Sequence, residues 1–497
     1  MGTRKTHNKT RLGCAQCKKR RIKCDIQRPT CENCSKKELL CSFETLFPSS
    51  RLSVSTPKLH TSPPRTPASV SPTQLTTRKK QPFKVLVFRN ESPQSIGLEE
   101  RTEDVVSTVF HIPPELRFND AWKDCRSLLP TTFQTLLDHY EFATFSSLAC
   151  NDPAKAAWQS FIPELATTHH FLVHSVLAIA SLHLAHLHEN TTDKRDQMVK
   201  IAAFQMNKSI PNYSAHLENL NADNAAALFA CSTLTAVYIF RTTALEFEET
   251  RASIPEHATV LPGKIVDRMI LAMVRTFHGL RGTYAILRPG WAWITEGRMA
   301  PVCTRPWWPR TRTPATERAV EEDRRLCELE KLWTQPGRGC EDHFMYLTIA
   351  LNMLRQTFGL VSQLSMPVSL YTPVTAIPYA ADDENVGLLM DRGSVFIWPT
   401  ILPREFITLV EQKNREALVL VAHYAVLHGR IRNIWWLEGL GQNMIIAVAM
   451  ALGRENWDLI AWPAKCAGVD LEHATGPRLM KGGKEGIGVS DMAIDVI

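Results

Sequence analysis

The sequence lacks the short motifs by which several enzyme classes are recognised. It contains no Gly-x-Ser-x-Gly nucleophile motif and no His-Glu-x-x-His metal motif. Residues 482–488 are rich in glycine, but no Ser or Thr follows their Gly-Lys pair as a phosphate-binding loop requires. The sequence therefore gives no support to a hydrolase or to a nucleotide-binding enzyme.

Long apolar runs are also missing. No run reaches the ~18 residues that span a bilayer, and Phe171–Ala185 is interrupted by His174 and His183. The first ten residues contain no apolar core of a secretory signal. Seven cysteines beyond residue 41 show no paired spacing, which is typical of free thiols in a reducing compartment. We therefore expect a soluble intracellular protein that binds no membrane.

Acidic residues are absent from residues 45–82. This window holds seven prolines and fourteen serines and threonines, so it cannot bury a core. We predict a disordered linker at residues 44–113, which separates the N-terminal region from the rest of the chain.

Cysteine is concentrated near the N-terminus, between Cys14 and Cys41. Six cysteines are spaced C-x2-C-x6-C-x6-C-x2-C-x6-C, which is one half-motif repeated after six residues. Each C-x2-C pair presents two thiolates to one tetrahedral ion, so the spacing predicts zinc. Two zinc ions need eight ligand positions, which six sulfurs supply only when two cysteines each bridge both ions. The symmetry of the repeat favours Cys14 and Cys31, the first of each half, as these bridges. The predicted ligands are Cys14, Cys17, Cys24, Cys31, Cys34 and Cys41.

A disulfide framework and a redox site are the alternatives for these cysteines. Disulfide frameworks belong to secreted chains, and no secretory signal is present. A redox C-x2-C does not account for a second pair and two further cysteines at matched offsets. Zinc is therefore favoured, and a module this small without an apolar core folds only with its metal.

Positive charge is concentrated in the same region. Residues 1–41 hold 12 Lys and Arg against 3 Asp and Glu, whereas the remainder holds 45 against 47. Basic charge confined to a small metal module is typical of nucleic-acid contact. We therefore expect residues 1–43 to form a DNA-binding module with a basic arm.

The cysteine pattern resembles the binuclear zinc cluster (two zinc, six cysteine) of fungal transcription factors at every cysteine position. The resemblance implies a helix after the second cysteine that enters the major groove of double-stranded DNA. By position, Arg20 and Arg21 would contact base edges in CGG-like triplets, because arginine suits bidentate contact with guanine. Lys18, Lys19 and Lys23 would contact phosphates. The resemblance implies a nuclear transcription factor of RNA polymerase II genes that works with the transcription machinery.

Oligomeric state is left open by the sequence. Members of that family often dimerise through a coiled coil directly after the cluster. Residues 42–113 carry no sustained apolar heptad. The chain therefore binds DNA as a monomer, or forms a homodimer through its large domain.

The rest of the chain predicts a mainly α protein. Apolar residues recur at helical spacing and strand-like alternation is almost absent. We expect an all-α domain at residues 114–463 and a flexible tail at 464–497, with Asn221 or Asp223 as one helix N-cap. The predicted helices are Phe133–Leu148, His169–His188, Asn221–Phe240, Pro262–Leu287, Thr316–Trp333, Glu341–Val361, Glu405–His428 and Asn443–Leu452.

Several blocks of this domain, among them residues 170–185 and 435–441, resemble the fungal-specific regulatory domain of sterol uptake control-type regulators. The resemblance implies a domain that responds to a small lipid-like effector and controls a sterol or secondary-metabolite pathway. A transcriptional repressor or a ligand-gated scaffold is the alternative, because no acidic, aromatic-interleaved activation segment stands out. An enzyme with an incidental zinc module is the least favoured class.

Overall fold

The chain divides into two units, Met1–Lys84 and Val85–Ile497, in this computed structural model. The structure describes residues 17, 19, 20, 22, 24–25, 31–37, 120–189, 191–254, 263–335, 343–366, 388–431 and 433–475. The predicted linker, residues 44–113, lies outside the described residues. In the first unit Cys17 and Lys19 are helical, and the helix with described bounds is α1 (Glu32–Ser35).

Helices make up nearly all of the described second unit, which confirms the prediction of a mainly α protein. The α-helices are α2 (Lys123–Arg126), α3 (Thr131–His139), α4 (Phe145–Leu148), α5 (Asp152–Ala156), α6 (Ile162–Thr168), α7 (Phe171–Leu187), α8 (Thr192–Leu217), α9 (Ala225–Ala252), α10 (Gly263–Leu287), α11 (Trp291–Thr295), α12 (Ala300–Cys303), α13 (Glu317–Glu328), α14 (Lys331–Thr334), α15 (Phe344–Gln363), α16 (Ile397–Ile401), α17 (Arg404–Glu411), α18 (Arg415–Ala425), α19 (Leu440–Leu452), α20 (Ala461–Cys466) and α21 (Leu471–Thr475).

Shorter elements join these helices. Strands β1 (Ser365–Met366) and β2 (Leu388–Leu389) pair antiparallel. The π-helical segments are Tyr140–Thr144 and Ala157–Phe161. The 3-10 segments are Arg392–Ser394, Val426–Arg430, Trp435–Leu437 and Arg454–Ile460.

The core is built by helices that are apolar on more than one face. Helix α7 is apolar nearly all round, and Val176, Leu177 and Ile179 are fully buried. Helix α8 packs along α7, α10 packs along α9, and α18 packs along α19. Helix α9 is long and apolar enough to cross a membrane, but 78% of its apolar window is buried inside the domain. That burial is what a central helix of a helical core requires.

The predicted helix Glu405–His428 is wrong, because the chain turns in its middle. Helix α17 ends at Glu411, and Lys413 has a positive φ of 59°. The Asn414 side chain then accepts from the Ala417 N–H at 2.9 Å and starts α18. Both helices keep the same apolar stripe, so periodicity alone did not reveal the turn.

The end of the helical domain and the start of α9 also differ from the prediction. The flexible tail was expected from residue 464, but Ala464 and Cys466 are buried in α20 and α21 follows. Helix α9 begins after Asn224, which differs from the predicted N-cap. The Asn221 side chain instead accepts from the N–H groups of Asp223 and Asn224, at 2.9 and 3.2 Å, and forms the turn that precedes the helix.

Candidate zinc centre and DNA interface

Four of the six predicted zinc ligands lie in the described residues and form one buried cluster. Cys17, Cys24, Cys31 and Cys34 are at most 2% exposed. The sulfurs of the first three lie within 4.8 Å of one another, and the Cys17 and Cys31 sulfurs are 3.6 Å apart. A tetrahedral zinc with Zn–S bonds of about 2.3 Å places its sulfurs about 3.8 Å apart. The donor set and its spacing therefore fit zinc. Cys14 and Cys41 lie outside the described residues.

The position of Cys31 bears on how two ions share six thiolates. Cys31 opens the second half of the motif, yet its sulfur lies with those of Cys17 and Cys24 from the first half. A cysteine that bound one ion only would lie beside its own pair partner, Cys34, and would not need to lie beside Cys17 and Cys24 of the first half. The observed place therefore supports Cys31 as a thiolate that bridges the ions.

Helix α1 holds the second C-x2-C pair in its turn. The N–H groups of Cys34 and Ser35 donate to the Cys31 carbonyl at 3.0 and 2.9 Å. Cys31 is the N-cap residue, but its side chain makes no capping hydrogen bond. The Glu32 N–H donates instead to Asp25 Oδ2 at 2.9 Å. Asp25 thereby ties the end of the first half-motif to the start of the second.

Sequence reasoning did not single out Asp25. The available signal was an acidic residue directly after the third cysteine of a strongly basic module. A negative side chain is unexpected on a surface that contacts phosphates. At a helix N-terminus, however, a carboxylate accepts hydrogen bonds from free N–H groups and is stabilised by the helix dipole. Its partner lies seven residues away, across the segment between the half-motifs.

Two of the five predicted DNA-contacting residues lie in the described part of the chain. Lys19 and Arg20 are exposed and lie in the turn that follows the buried Cys17. The Ile22 N–H donates to the Cys17 carbonyl at 3.1 Å and closes this turn. Their charges are therefore presented outward from the sulfur cluster, as contact with DNA requires. Lys18, Arg21 and Lys23 lie outside the described residues.

Histidines of the helical domain serve packing and hydrogen bonding. His174 Nδ1 lies 2.8 Å from Gln205 Oε1, and His183 Nδ1 lies 3.1 Å from Thr144 Oγ1. Burial lowers the pKa of His183 to about 3, so its ring is neutral near pH 7. The His183 ring stacks on Trp435 with centroids 4.8 Å apart. These side chains are part of the core.

One histidine lies beside two carboxylates at the surface. His186, Glu189 and Glu438 bring three possible ligand atoms within 4.8 Å of one another. The buried Arg241 guanidinium donates to Glu189 Oε1 at 2.6 Å and already supplies a cation. This cluster is therefore an ion-pair network.

The aromatic residues of the 435–441 block pack tightly. Trp436 stacks with Phe240 and Phe396 at 5.7 and 6.0 Å, and Trp435 Nε1 donates to Ser147 Oγ at 2.9 Å. The two best-formed depressions of the described domain are open surface grooves of about 310 and 530 Å³. Both tryptophans are thus packed against neighbouring side chains of the described core.

Comparison with known proteins matches both units. Residues 12–50 match the fungal Zn(2)-Cys(6) binuclear cluster domain, and residues 135–244 match the fungal specific transcription factor domain. The family's cluster domain binds two zinc ions. No solved structure matches the chain.

Three relatives illustrate the range of similarity. A Zn(2)-C6 fungal-type transcription factor of Gibberella zeae is 23% identical over 480 residues, which cover 95% of this chain and 88% of that protein. Sterol uptake control protein 2 of Candida albicans is 60% identical over 42 residues, 8% of this chain and 6% of that protein. A Zn(2)-C6 fungal-type transcription factor of Aspergillus fumigatus is 26% identical over 186 residues, 37% of this chain and 35% of that protein.

Proposed function

Because this chain carries the cluster and regulatory domains of the fungal Zn(2)-Cys(6) transcription factors and is a sequence-specific DNA-binding regulator, we propose that it acts in the nucleus on RNA polymerase II genes. The observation that carries the proposal is the convergence of the Cys17, Cys24 and Cys31 sulfurs beside an exposed basic turn. Proteins with this cluster are typically nuclear, and they are transcription factors rather than enzymes. Its direct partners are then double-stranded DNA and the transcription machinery.

We assign the two zinc ions to all six cysteines of the motif, with Cys14 and Cys31 as the shared ligands. When every position on an ion is taken by a thiolate, the ion has no open position for a reaction, so the metal supplies structure. Two Zn(II) and six thiolates carry a charge of −2, which neighbouring cations such as Lys19 and Arg20 offset. The ligands assigned are Cys14, Cys17, Cys24, Cys31, Cys34 and Cys41.

We assign base recognition to Arg20 and Arg21 and phosphate contact to Lys18, Lys19 and Lys23. Arginine binds guanine O6 and N7 in a bidentate manner, which favours CGG-like triplets. Lysine contacts to phosphate add affinity that is independent of sequence and falls with salt. A homodimer formed through the helical domain would read two triplets, and a monomer would read one.

We propose that the helical domain makes this activity dependent on a small lipid-like effector of a sterol or secondary-metabolite pathway. The support is the resemblance of its blocks to sterol-responsive regulators, since the sterol uptake control relative matches only 42 residues of the chain. Such an effector would bind at a surface groove, or in a conformation in which the core opens.

The test of DNA recognition measures zinc and selects DNA with the same preparation of the full chain. We expect two zinc ions per chain by elemental analysis and selected duplexes that contain CGG-like triplets. The number of triplets per site separates monomer from homodimer. The Cys31→Ala variant is the control, because loss of a shared ligand should release both ions. Fewer than two zinc ions in the unsubstituted chain, or no selected sequence, would contradict the proposal.

The test of the effector is separate. The full chain is purified from a fungal host and its bound lipids are extracted and identified by mass spectrometry. A stoichiometric sterol or related lipid supports the proposal. A chain that is free of lipid and still regulates a reporter to the full extent would remove the effector and leave the DNA-binding function intact.

A further inference from the structure

A loop between α12 and α13 presents an exposed tryptophan among arginines. We call residues 304–316 the Trp307 loop. Trp307 is 51% exposed, and Arg310 is exposed as well. The loop contains three arginines and no acidic residue. Arg310 makes no ion pair with another described residue.

The first half of this loop is fixed by one buried carboxylate. Asp391 is 1% exposed, and its Oδ2 accepts from Arg305 Nε and, at 3.1 Å, from Trp308 Nε1. Trp308 also packs against the small apolar cluster of Leu360, Leu364 and Ile397. Arg305 and Trp308, which lie on either side of Trp307 in the chain, are thus held in place.

The second half of the loop lies directly on helix α15. Gln363 Nε2 donates to the Thr313 carbonyl at 2.7 Å, and Ser362 Oγ accepts from the Ala315 N–H at 3.0 Å. A Cβ placed on Gly359 would lie 2.3 Å from the Arg312 carbonyl oxygen, so only glycine admits this approach. Both halves are anchored, and the loop needs little further ordering when a partner binds.

The exposed surface of the loop combines an apolar ring with cations. The Trp307 ring meets Trp308 edge-on, with centroids 6.5 Å apart and an interplanar angle of 88°. The Arg312 guanidinium lies over the Trp308 ring, 5.7 Å from its centroid. Tryptophan and arginine are the residues in which binding energy is most often concentrated at protein interfaces.

We propose that the Trp307 loop is a docking surface for an acidic peptide segment that carries aromatic or aliphatic side chains, supplied by a partner protein. A carboxylate of the segment would pair with Arg310, and one apolar side chain would pack on Trp307. DNA fits the site less well, because the chain beyond residue 41 holds 45 basic and 47 acidic residues and so has no net positive charge that would attract phosphates. The helical domain thereby gains a protein contact that does not depend on its effector.

The test uses the full, zinc-loaded chain and a fluorescein-labelled synthetic peptide of Asp, Glu, Leu and Phe, followed by fluorescence anisotropy. The variants are Trp307→Ala and Arg310→Glu, neither of which removes an anchor of the loop. We expect each to weaken peptide binding about tenfold or more, and Arg310→Glu to reduce its salt dependence. Trp293→Ala on α11 is the matched control, since Trp293 is 43% exposed and lies outside the loop. It should bind the peptide as the unsubstituted chain does.

Three results would overturn the proposal. The first is no peptide binding by the unsubstituted chain. The second is equal binding by the Trp307→Ala and Trp293→Ala variants. The third is that the Arg310→Glu variant binds a labelled random-sequence DNA duplex more weakly by the same factor as it binds the peptide. That result would assign the surface to nucleic acid. Unfolding curves of all three variants identify any loss that comes from misfolding.

Discussion

At the scale of single residues, we expect Asp25 to contribute to zinc retention and DNA binding although its side chain is exposed. Its carboxylate caps α1 from across the zinc module, at a helix whose own N-cap side chain, Cys31, lies in the sulfur cluster. Replacing a capping side chain by alanine costs about 1 kcal/mol. We predict that Asp25→Ala loses zinc at lower chelator concentrations and loses DNA binding with it.

Asp25→Asn is the matched control, because an amide oxygen also accepts from the Glu32 N–H. It should hold zinc nearly as well as the unsubstituted chain in the same chelator titration. If Asp25→Ala and Asp25→Asn release zinc alike, the charge of Asp25 matters and the cap does not.

Arg20 and Lys19 are neighbours in the chain, but we expect their substitution to weaken DNA binding in different ways. Arg20→Ala should relax base preference and cost roughly 1–3 kcal/mol on the selected site, because a bidentate base contact is lost. Lys19→Ala should weaken selected and random DNA equally and lower the slope of affinity against salt, because a phosphate contact is lost. Binding titrations on both duplexes at several salt concentrations measure both effects. A base-selective Lys19 would mean that the helix enters the groove in a different register.

The sequence was enough to predict the metal that this module binds, but it did not predict the hydrogen bonds within the module. The repeated spacing of cysteines was enough to predict zinc, because ligand spacing is set by local geometry. The bond from Glu32 to Asp25 joins residues on either side of the segment between the half-motifs. No local pattern reports a contact of that kind.

At the scale of elements, Gly359 decides where the Trp307 loop lies. We predict that Gly359→Ala displaces the loop from α15, since the added Cβ would meet the backbone oxygen of Arg312. A backbone clash cannot be relieved by a side-chain rotation, so a loss of about 1–3 kcal/mol in the free energy of unfolding is expected. Chemical denaturation measures it.

Gly282→Ala on α10 is the control, because nothing lies within 4 Å of a Cβ at that glycine. It should be neutral or stabilising, as alanine is in a helix. A Gly359→Ala variant as stable as Gly282→Ala would show that the loop moves aside without loss.

Helices were predicted best where a long apolar repeat meets a clear end. Helix α10 was expected at Pro262–Leu287 and is found at Gly263–Leu287. The break at Lys413 was missed because a turn of a few residues leaves the apolar stripe in phase on both sides. The end of the domain was missed because α20 and α21 are short, and short helices are held by tertiary burial rather than by their own pattern.

At the scale of the whole molecule, buried histidines make stability depend on pH. Burial lowers the pKa of His139, His423 and His428 to about 4. Unfolded histidines have a pKa near ~6.5, so the unfolded chain binds protons first as the pH falls. We predict that stability decreases from about pH 6.5 down to about pH 4, as measured by thermal unfolding across that range. The pKa of Glu141 is raised by burial and acts in the opposite direction, but it is a single group.

His428 offers a direct check of this dependence. Its two ring nitrogens have no hydrogen-bond partner among the described residues, and its ring packs against Phe396 and Tyr424. His428→Phe should therefore fold and show a weaker loss of stability with acid. His170→Gln, at an exposed histidine, should leave the pH dependence unchanged. Equal slopes for both variants would mean that carboxylates control the acid response.

Metal removal should separate the two units of the chain. The described zinc module has only cysteine sulfurs at its centre, whereas the helical domain has its own large apolar core. Zinc binding supplies the folding energy of such a module, about 10–16 kcal/mol in small zinc peptides. We predict that a chelator abolishes DNA binding while the helical circular dichroism signal and the main calorimetric transition stay unchanged, and that added zinc restores binding. A main transition that moves with chelator would mean that the helical domain depends on the module for its stability.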